Sequence, residues 1–190
     1  MTDTDAVDFL DMEHTTDRKS EEALTPSVSQ YLVFTVSTLE MAIGIAQVSE
    51  IVPYERVSSL PGMPPYIRGV TQVRERWTPV IDLALKFGLT PAAVTKRTCI
   101  LVLELHVHRE ALPVGIVLDG VASLLDLEAA RISPPPRFGV GVDVRYMHGI
   151  VATERGSLPL IDFAQVFAGS ELEHIAVGAL RGINETPPLT

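Results

Sequence analysis

At 190 residues and 20.7 kDa, with 46% hydrophobic and 21% charged residues, the chain has the composition of one ordinary globular domain or two small ones in close contact. A net charge of −9 disfavours general affinity for nucleic acid or anionic lipid, and the longest apolar runs, Cys99–Leu103 and Val114–Leu118, fall far short of the roughly eighteen residues of a membrane span. Cys99, the single cysteine, can form neither an internal disulfide nor a cysteine zinc site, and no basic segment followed by an apolar run opens the sequence, so a cytoplasmic location is expected.

The charge is concentrated at the start. Residues 1 to 30 carry eight acidic residues against Arg18 and Lys19, a net of −6, which leaves −3 for the other 160. Such a segment buries too little apolar surface to order itself, and 1–29 reads as a flexible acidic leader. A short docking segment at Phe9, Leu10 and Met12 is the alternative.

From Tyr31 the pattern becomes that of short strands. Tyr31–Val36 is a β-branched and aromatic run, Ser37–Glu40 a turn, and Met41, Ile43 and Ile45 alternate with small residues, which predicts a hairpin. The pattern recurs as Cys99–Leu105, a polar turn at His106–Glu110, and Leu112, Val114, Ile116 and Leu118. The fold class expected is all-β.

A shift of 80 residues places two segments in register without a gap. Tyr66, Gly69, Pro79, Ile81, Asp82, Ala84 and Phe87 meet Tyr146, Gly149, Pro159, Ile161, Asp162, Ala164 and Phe167. Seven identities over the 22 positions from 66 to 87 exceed the one or two (roughly) that background composition supplies. Asp82 and Asp162 each precede a short apolar run ending in Gly88 or Gly169, so both read as helix caps rather than catalysts. Ser170 and Glu173 have capping-box spacing ahead of Leu172, Ile175, Ala176 and Ala179, which predicts a C-terminal helix over 171–181 and a tail over 182–190.

Enzyme signatures are scarce: there is no Walker sequence, GxSxG elbow or HExxH, and Gly139 and Gly141 form only a lone GxG. His106 and His108 could face one way on a strand, yet no third ligand follows by spacing. Cys99 lies in an apolar run and reads as inert. A small-ligand enzyme using His106, His108 or Asp82 is the weaker reading, and no cofactor or metal is expected. Features suited to binding are more prominent. Charges interrupt the strand-like stretch Tyr66–Trp77, and Glu50 is available to pair with a cation from it.

With these motifs in place, the sequence resembles the CheW family of bacterial chemotaxis scaffolds over about Gln30–Ala179. The resemblance rests on YLVFTV, AIGIAQVSEIV, YIRGVTQVRERWTPVIDL, LPVGIVLDGV, RYMHGIV and LPLIDF, in that order. It implies two five-stranded SH3-like barrels related by the internal repeat and sharing a hydrophobic seam, within a domain over 30–181. The barrels are expected at approximately 30–88 and 89–169. It also implies a non-catalytic adaptor that binds the regulatory domain of a CheA-type histidine kinase and the cytoplasmic tip of a chemoreceptor. Such an adaptor is recruited to membrane-associated arrays without inserting into the membrane. A competitor or accessory-pathway scaffold that binds kinase or receptor without coupling them is the alternative. By motif, Glu50 and Arg74 match the family's acidic and basic pair near the receptor groove, Val48 and Ile51 match apolar contacts beside them, and Arg68 and Gly69 lie in a stretch used for partner contacts. The family's usual Asn-Leu-Arg-Gly is here Gln72-Val73-Arg74-Glu75. Glu75 therefore replaces a glycine in that partner-binding segment and is expected to compete with Glu50 for Arg74.

Overall fold

The computed structural model describes residues 28–107, 110–137 and 141–167, together with 171 and 175. The strands are β1 (Val28–Val36), β2 (Leu39–Gly44), β3 (Val48–Pro53), β4 (Ile67–Val73), β5 (Arg76–Asp82), β6 (Cys99–Val107), β7 (Glu110–Leu118), β8 (Gly120–Glu128), β9 (Met147–Thr153) and β10 (Gly156–Ile161). They form two five-stranded sheets, ordered β8-β1-β2-β10-β9 and β3-β6-β7-β5-β4. Pairing is antiparallel except for β2 with β10 and β5 with β7, so both sheets are mixed.

The expected barrels are not formed. Among the described residues neither sheet closes: β8 and β9, and likewise β3 and β4, are edges that share no ladder. One isolated bridge spans each gap instead, Ser58 with Val70 and Ser133 with Ile150. The local chemistry explains the opening. β3 ends at Pro53, which has no N–H to donate, and β8 gives way to the 3₁₀ turn Ala129–Arg131.

Pairing also crosses the expected boundary at residue 88. The first repeat supplies β1–β5 and the second β6–β10, yet β1 and β2 join β8–β10, while β6 and β7 join β3–β5. Each repeat thus gives its first hairpin to the sheet of the other. The seam between the sheets is a single core. It takes Phe34, Met41 and Ile43 from one and Ile81, Leu101 and Ile116 from the other, all 0% exposed. A side chain of this size contributes about 1.5–3 kcal/mol on full burial.

The duplication is visible in bond detail. The Asp82 amide donates to the Tyr66 carbonyl at 2.7 Å and the Asp162 amide to that of Tyr146 at 2.9 Å. Asp82 caps α1 (Leu83–Lys86) by accepting from the Leu85 amide, and Asp162 caps α2 (Phe163–Val166) by accepting from those of Ala164 and Gln165. Gly88 follows α1 with φ +72°, as a helix-terminating glycine should, while Gly169 lies outside the described residues.

Across the seam Phe87 stacks on Tyr146, with ring centroids 5.4 Å apart. At the related position the Lys86 ammonium lies 4.8 Å from the Tyr66 ring and 5.2 Å from that of Phe167. Its charge is met by Glu171 at 2.6 Å, and the Tyr66 hydroxyl donates to the same carboxylate oxygen. Burial, and then Glu171, push the Tyr66 phenol up to about 12. Glu171 and Ile175 are helical, and Ile175 is in the core. The rest of the expected helix 171–181, residues 1–27 of the leader, His108, Gly139 and the tail lie outside the described residues.

Candidate functional site

The site is built on the β4–β5 hairpin. Its turn is Arg74-Glu75, with Val73 paired to Arg76 and φ of +45° and +64° at the two turn residues. These values are those of a type I′ turn, whose twist suits a hairpin but which favours Asn-Gly over side-chain-bearing residues. Each non-glycine residue in this region costs about 1–2 kcal/mol. Glu75→Gly is expected to stabilise the protein by about 0.5–1 kcal/mol, the relief of that strain less the greater chain entropy of glycine. A shift in urea midpoint at constant slope measures it, and no gain would show that the turn holds Glu75 without strain.

Opposite this turn runs the edge strand β3. A bulge between Val48 and Glu50 changes which way its side chains point. Val48 pairs with Leu103 and Ile51 with Leu101, on the seam face, whereas Glu50 pairs with Val102 and Val52 with Ile100, on the other face. The Arg74 Nε lies 2.9 Å from Glu50 Oε1, an ion pair that bridges the open side of the sheet between β3 and the turn after β4. Arg74 is 74% exposed and Glu50 21%. A pair this exposed contributes about 0–1 kcal/mol to stability, so its main effect is to fix the direction of the guanidinium. Glu75 is exposed, and the competition expected of it is not seen: the Arg74 Nε is on Glu50.

The pair borders a groove of about 610 Å³, lined also by Val52, Arg56, Val73 and Trp77. Arg76, next to the turn, is held by Glu104 at 3.1 Å and by the Ala111 carbonyl.

The seven residues singled out in the sequence do not form one cluster. Glu50, Arg74 and Glu75 come together at the open edge. Val48 packs against the seam core, and Ile51, on the same face, is 42% exposed. Arg68 lies six residues from Arg74 along β4, about 20 Å away at strand rise. Its Nε and Nη2 both donate to Asp82 Oδ2, the former at 2.9 Å. Gly69 is buried, with φ +143° and the Ser58 carbonyl against its Cα, so it offers no side chain to a partner. Two features were not singled out in the sequence. Trp77, 44% exposed, lines the groove, and the Lys86–Glu171 pair holds the start of the C-terminal segment. The shifted alignment carried a signal for both, since Trp77 meets Ser157 two positions before the shared Pro79/Pro159, and Lys86 meets Val166 one position before the shared Phe87/Phe167.

The groups proposed for chemistry are otherwise engaged. Asp82 is taken by its cap and Arg68, and burial followed by Asp119 raises the Cys99 thiol, which disfavours a thiolate. His106 is exposed on β6, and among the described residues there is no group of three metal-ligating side chains. Nor, among them, is any helix long and apolar enough to cross a membrane.

Residues 30–171 match the family model of the CheW-like domain. The chain is 34% identical to the chemotaxis protein CheW of Klebsiella aerogenes over 143 residues, 75% of this chain and 84% of that one. It is 28% identical to the probable chemotaxis protein CheW of Rhizobium etli over 152 residues, 80% and 96% of the two chains. The crystal structure of the scaffolding protein TtCheW from Thermoanaerobacter tengcongensis superposes with a TM-score of 0.69 at 24% identity, covering 80% of this chain and 96% of that one. The chain belongs to the CheW family, the non-catalytic scaffold proteins of bacterial chemotaxis signalling.

Proposed function

We propose that this scaffold couples the cytoplasmic tips of chemoreceptors to a CheA-type histidine kinase, and that the groove at Glu50 and Arg74 receives the receptor. The observation that carries the reading is the Glu50–Arg74 pair at an open sheet edge, with the guanidinium held on one side and 74% of the side chain exposed. Glu50 fixes the Arg74 Nε and leaves its terminal nitrogens for a partner. Val48, packed against the seam core, holds the strand in place, Ile51 offers an exposed apolar contact on the face opposite Glu50, and Glu75 at the turn adjusts the site. The kinase's regulatory domain docks on a separate face, so both partners are held at once, beside the membrane that carries the receptors. A micromolar contact is worth about −8 kcal/mol, and simultaneous binding at many lattice points makes such contacts durable. Receptor state alters kinase output to the extent that its two conformations bind this assembly differently.

Co-sedimentation of the purified chain with receptor cytoplasmic fragments and kinase tests this. The wild type is expected to bring both down together. Arg74→Glu, which sets two carboxylates against each other, is expected to lower receptor association at least tenfold, about 1.4 kcal/mol, and leave kinase association within about twofold. Unchanged association with both partners would remove the site assignment, and failure of the wild type to co-sediment them would remove coupling.

A further inference from the structure

We infer that Trp77 is the apolar anchor of the groove and determines which receptor tips this scaffold accepts; the inference rests on the assignment of that groove to the receptor. The internal duplication acts as a control within the molecule. In the β4–β5 hairpin Gln72 pairs with Trp77, and at the same ladder position of the β9–β10 hairpin Ala152 pairs with Ser157. Around these positions the two copies agree: Gly69 with Gly149, Pro79 with Pro159, Ile81 with Ile161 and Asp82 with Asp162. The residues that agree are the ones that build the hairpin, its cap and its seam contacts. A serine serves the same fold at the second copy, so the hairpin has no structural need of an indole at the first.

Trp77 is also placed as a structural tryptophan would not be. It is the single tryptophan of the chain, it is 44% exposed, and it borders the groove with Glu50 and Arg74. Arg74 differs between the copies as well, its counterpart being Glu154. Two of the side chains that distinguish this hairpin from its duplicate therefore line one groove. An indole beside a guanidinium is a pairing enriched among residues that dominate interfaces, because a large flat side chain with two rotatable bonds loses little entropy on contact. The occupant that fits is a segment of the receptor tip bearing an apolar side chain, laid against the indole next to its contact with Arg74. The guanidinium aligns the segment, and the apolar side chain it carries at that position decides acceptance.

Because the chain has one tryptophan, its fluorescence reports on this position alone. The full chain is titrated with the soluble cytoplasmic fragment of a receptor from the same cell, and separately with the isolated regulatory domain of the kinase. Calorimetry on the same samples measures binding independently of the indole. The receptor fragment is expected to shift the emission to the blue, and the kinase domain to leave it unchanged. Trp77→Ala is expected to weaken receptor binding at least tenfold and kinase binding less than twofold, and Trp77→Phe to restore most of the loss. Retained kinase binding by both variants shows that they are folded. Receptor binding by calorimetry with no change in emission, or full affinity in Trp77→Ala, overturns the anchor and leaves the receptor groove standing. A shift caused by the kinase domain instead overturns the anchor as a receptor contact. No binding of the receptor fragment by the wild type overturns both.

Discussion

Replacing Gly69 by alanine is expected to destabilise the protein by at least about 3 kcal/mol, or to prevent its recovery in folded form. A Cβ built at this position lies 1.9 Å from the Ser58 carbonyl oxygen and 2.6 Å from its carbon, both backbone atoms with no rotamer to move into. Relief requires the segment after β3 to retreat, and that segment holds the bridge across the open edge, where Ser58 and Val70 exchange two bonds of 2.8 Å. Loss of those bonds leaves backbone groups unsatisfied at about 1–3 kcal/mol, and φ of +143° adds about 1–3 kcal/mol of strain for alanine. Gly156 supplies the control: its φ is +126°, but nothing lies within 4 Å of an added Cβ, so alanine there incurs the strain alone. Urea midpoints of the two variants separate the effects. A Gly69→Ala protein within 1 kcal/mol (approximately) of wild type would show that the edge segment yields freely. Were it also to lose a partner, Gly69 would act by contact; the geometry assigns it to the bridge.

What the residues disclosed before the structure, and what they hid, follows from the range of each interaction. The β1–β2 and β6–β7 hairpins and the two aspartate caps are local, and their β-branched runs and spacing sufficed to locate them. The repeat was legible because Tyr66 and Asp82 make the same bonds as Tyr146 and Asp162, and Gly69 and Gly149 each lie against a serine carbonyl, that of Ser58 or Ser133. Barrel closure was not legible. Alternation of apolar residues says which face of a strand is buried and nothing about whether its far edge finds a partner. The exchange of first hairpins was hidden for a related reason. An 80-residue shift is the same whichever sheet receives β1 and β2, and the parallel pairs β2–β10 and β5–β7 join residues far apart in sequence. At the site, the Glu50–Arg74 pair was anticipated from charge and resemblance. The bulge that turns Val48 away from Glu50 carries no glycine in Val48-Ser49-Glu50 to announce it. The ion pair of Arg68 with Asp82 was not legible, because Asp82 was visible only as a cap.

Cutting the chain between its repeats is expected to abolish folding of both halves. Residues 1–98 retain β1–β5, but β1 loses β8, β2 loses β10, β5 loses β7 and β3 loses β6, the one strand it pairs with in the ladder. Two isolated hairpins and an unpaired strand are left, and two-stranded hairpins are marginal in water. Their apolar faces lose cover at the same time, since Phe34 and Met41 share a core with Leu101, Leu103 and Phe163 from the other half. Residues 99–190 lose the reciprocal partners. Each fragment alone is expected to lack a cooperative thermal transition by near-ultraviolet dichroism, while an equimolar mixture regains one whose midpoint rises with concentration, because folding has become association. Two independent units would behave in the opposite way, each melting alone at a concentration-independent temperature, and that outcome would contradict the exchanged pairing. Because each repeat's first hairpin is hydrogen-bonded into the sheet of the other, the two sheets share one core and cannot be parted without breaking ladders in both.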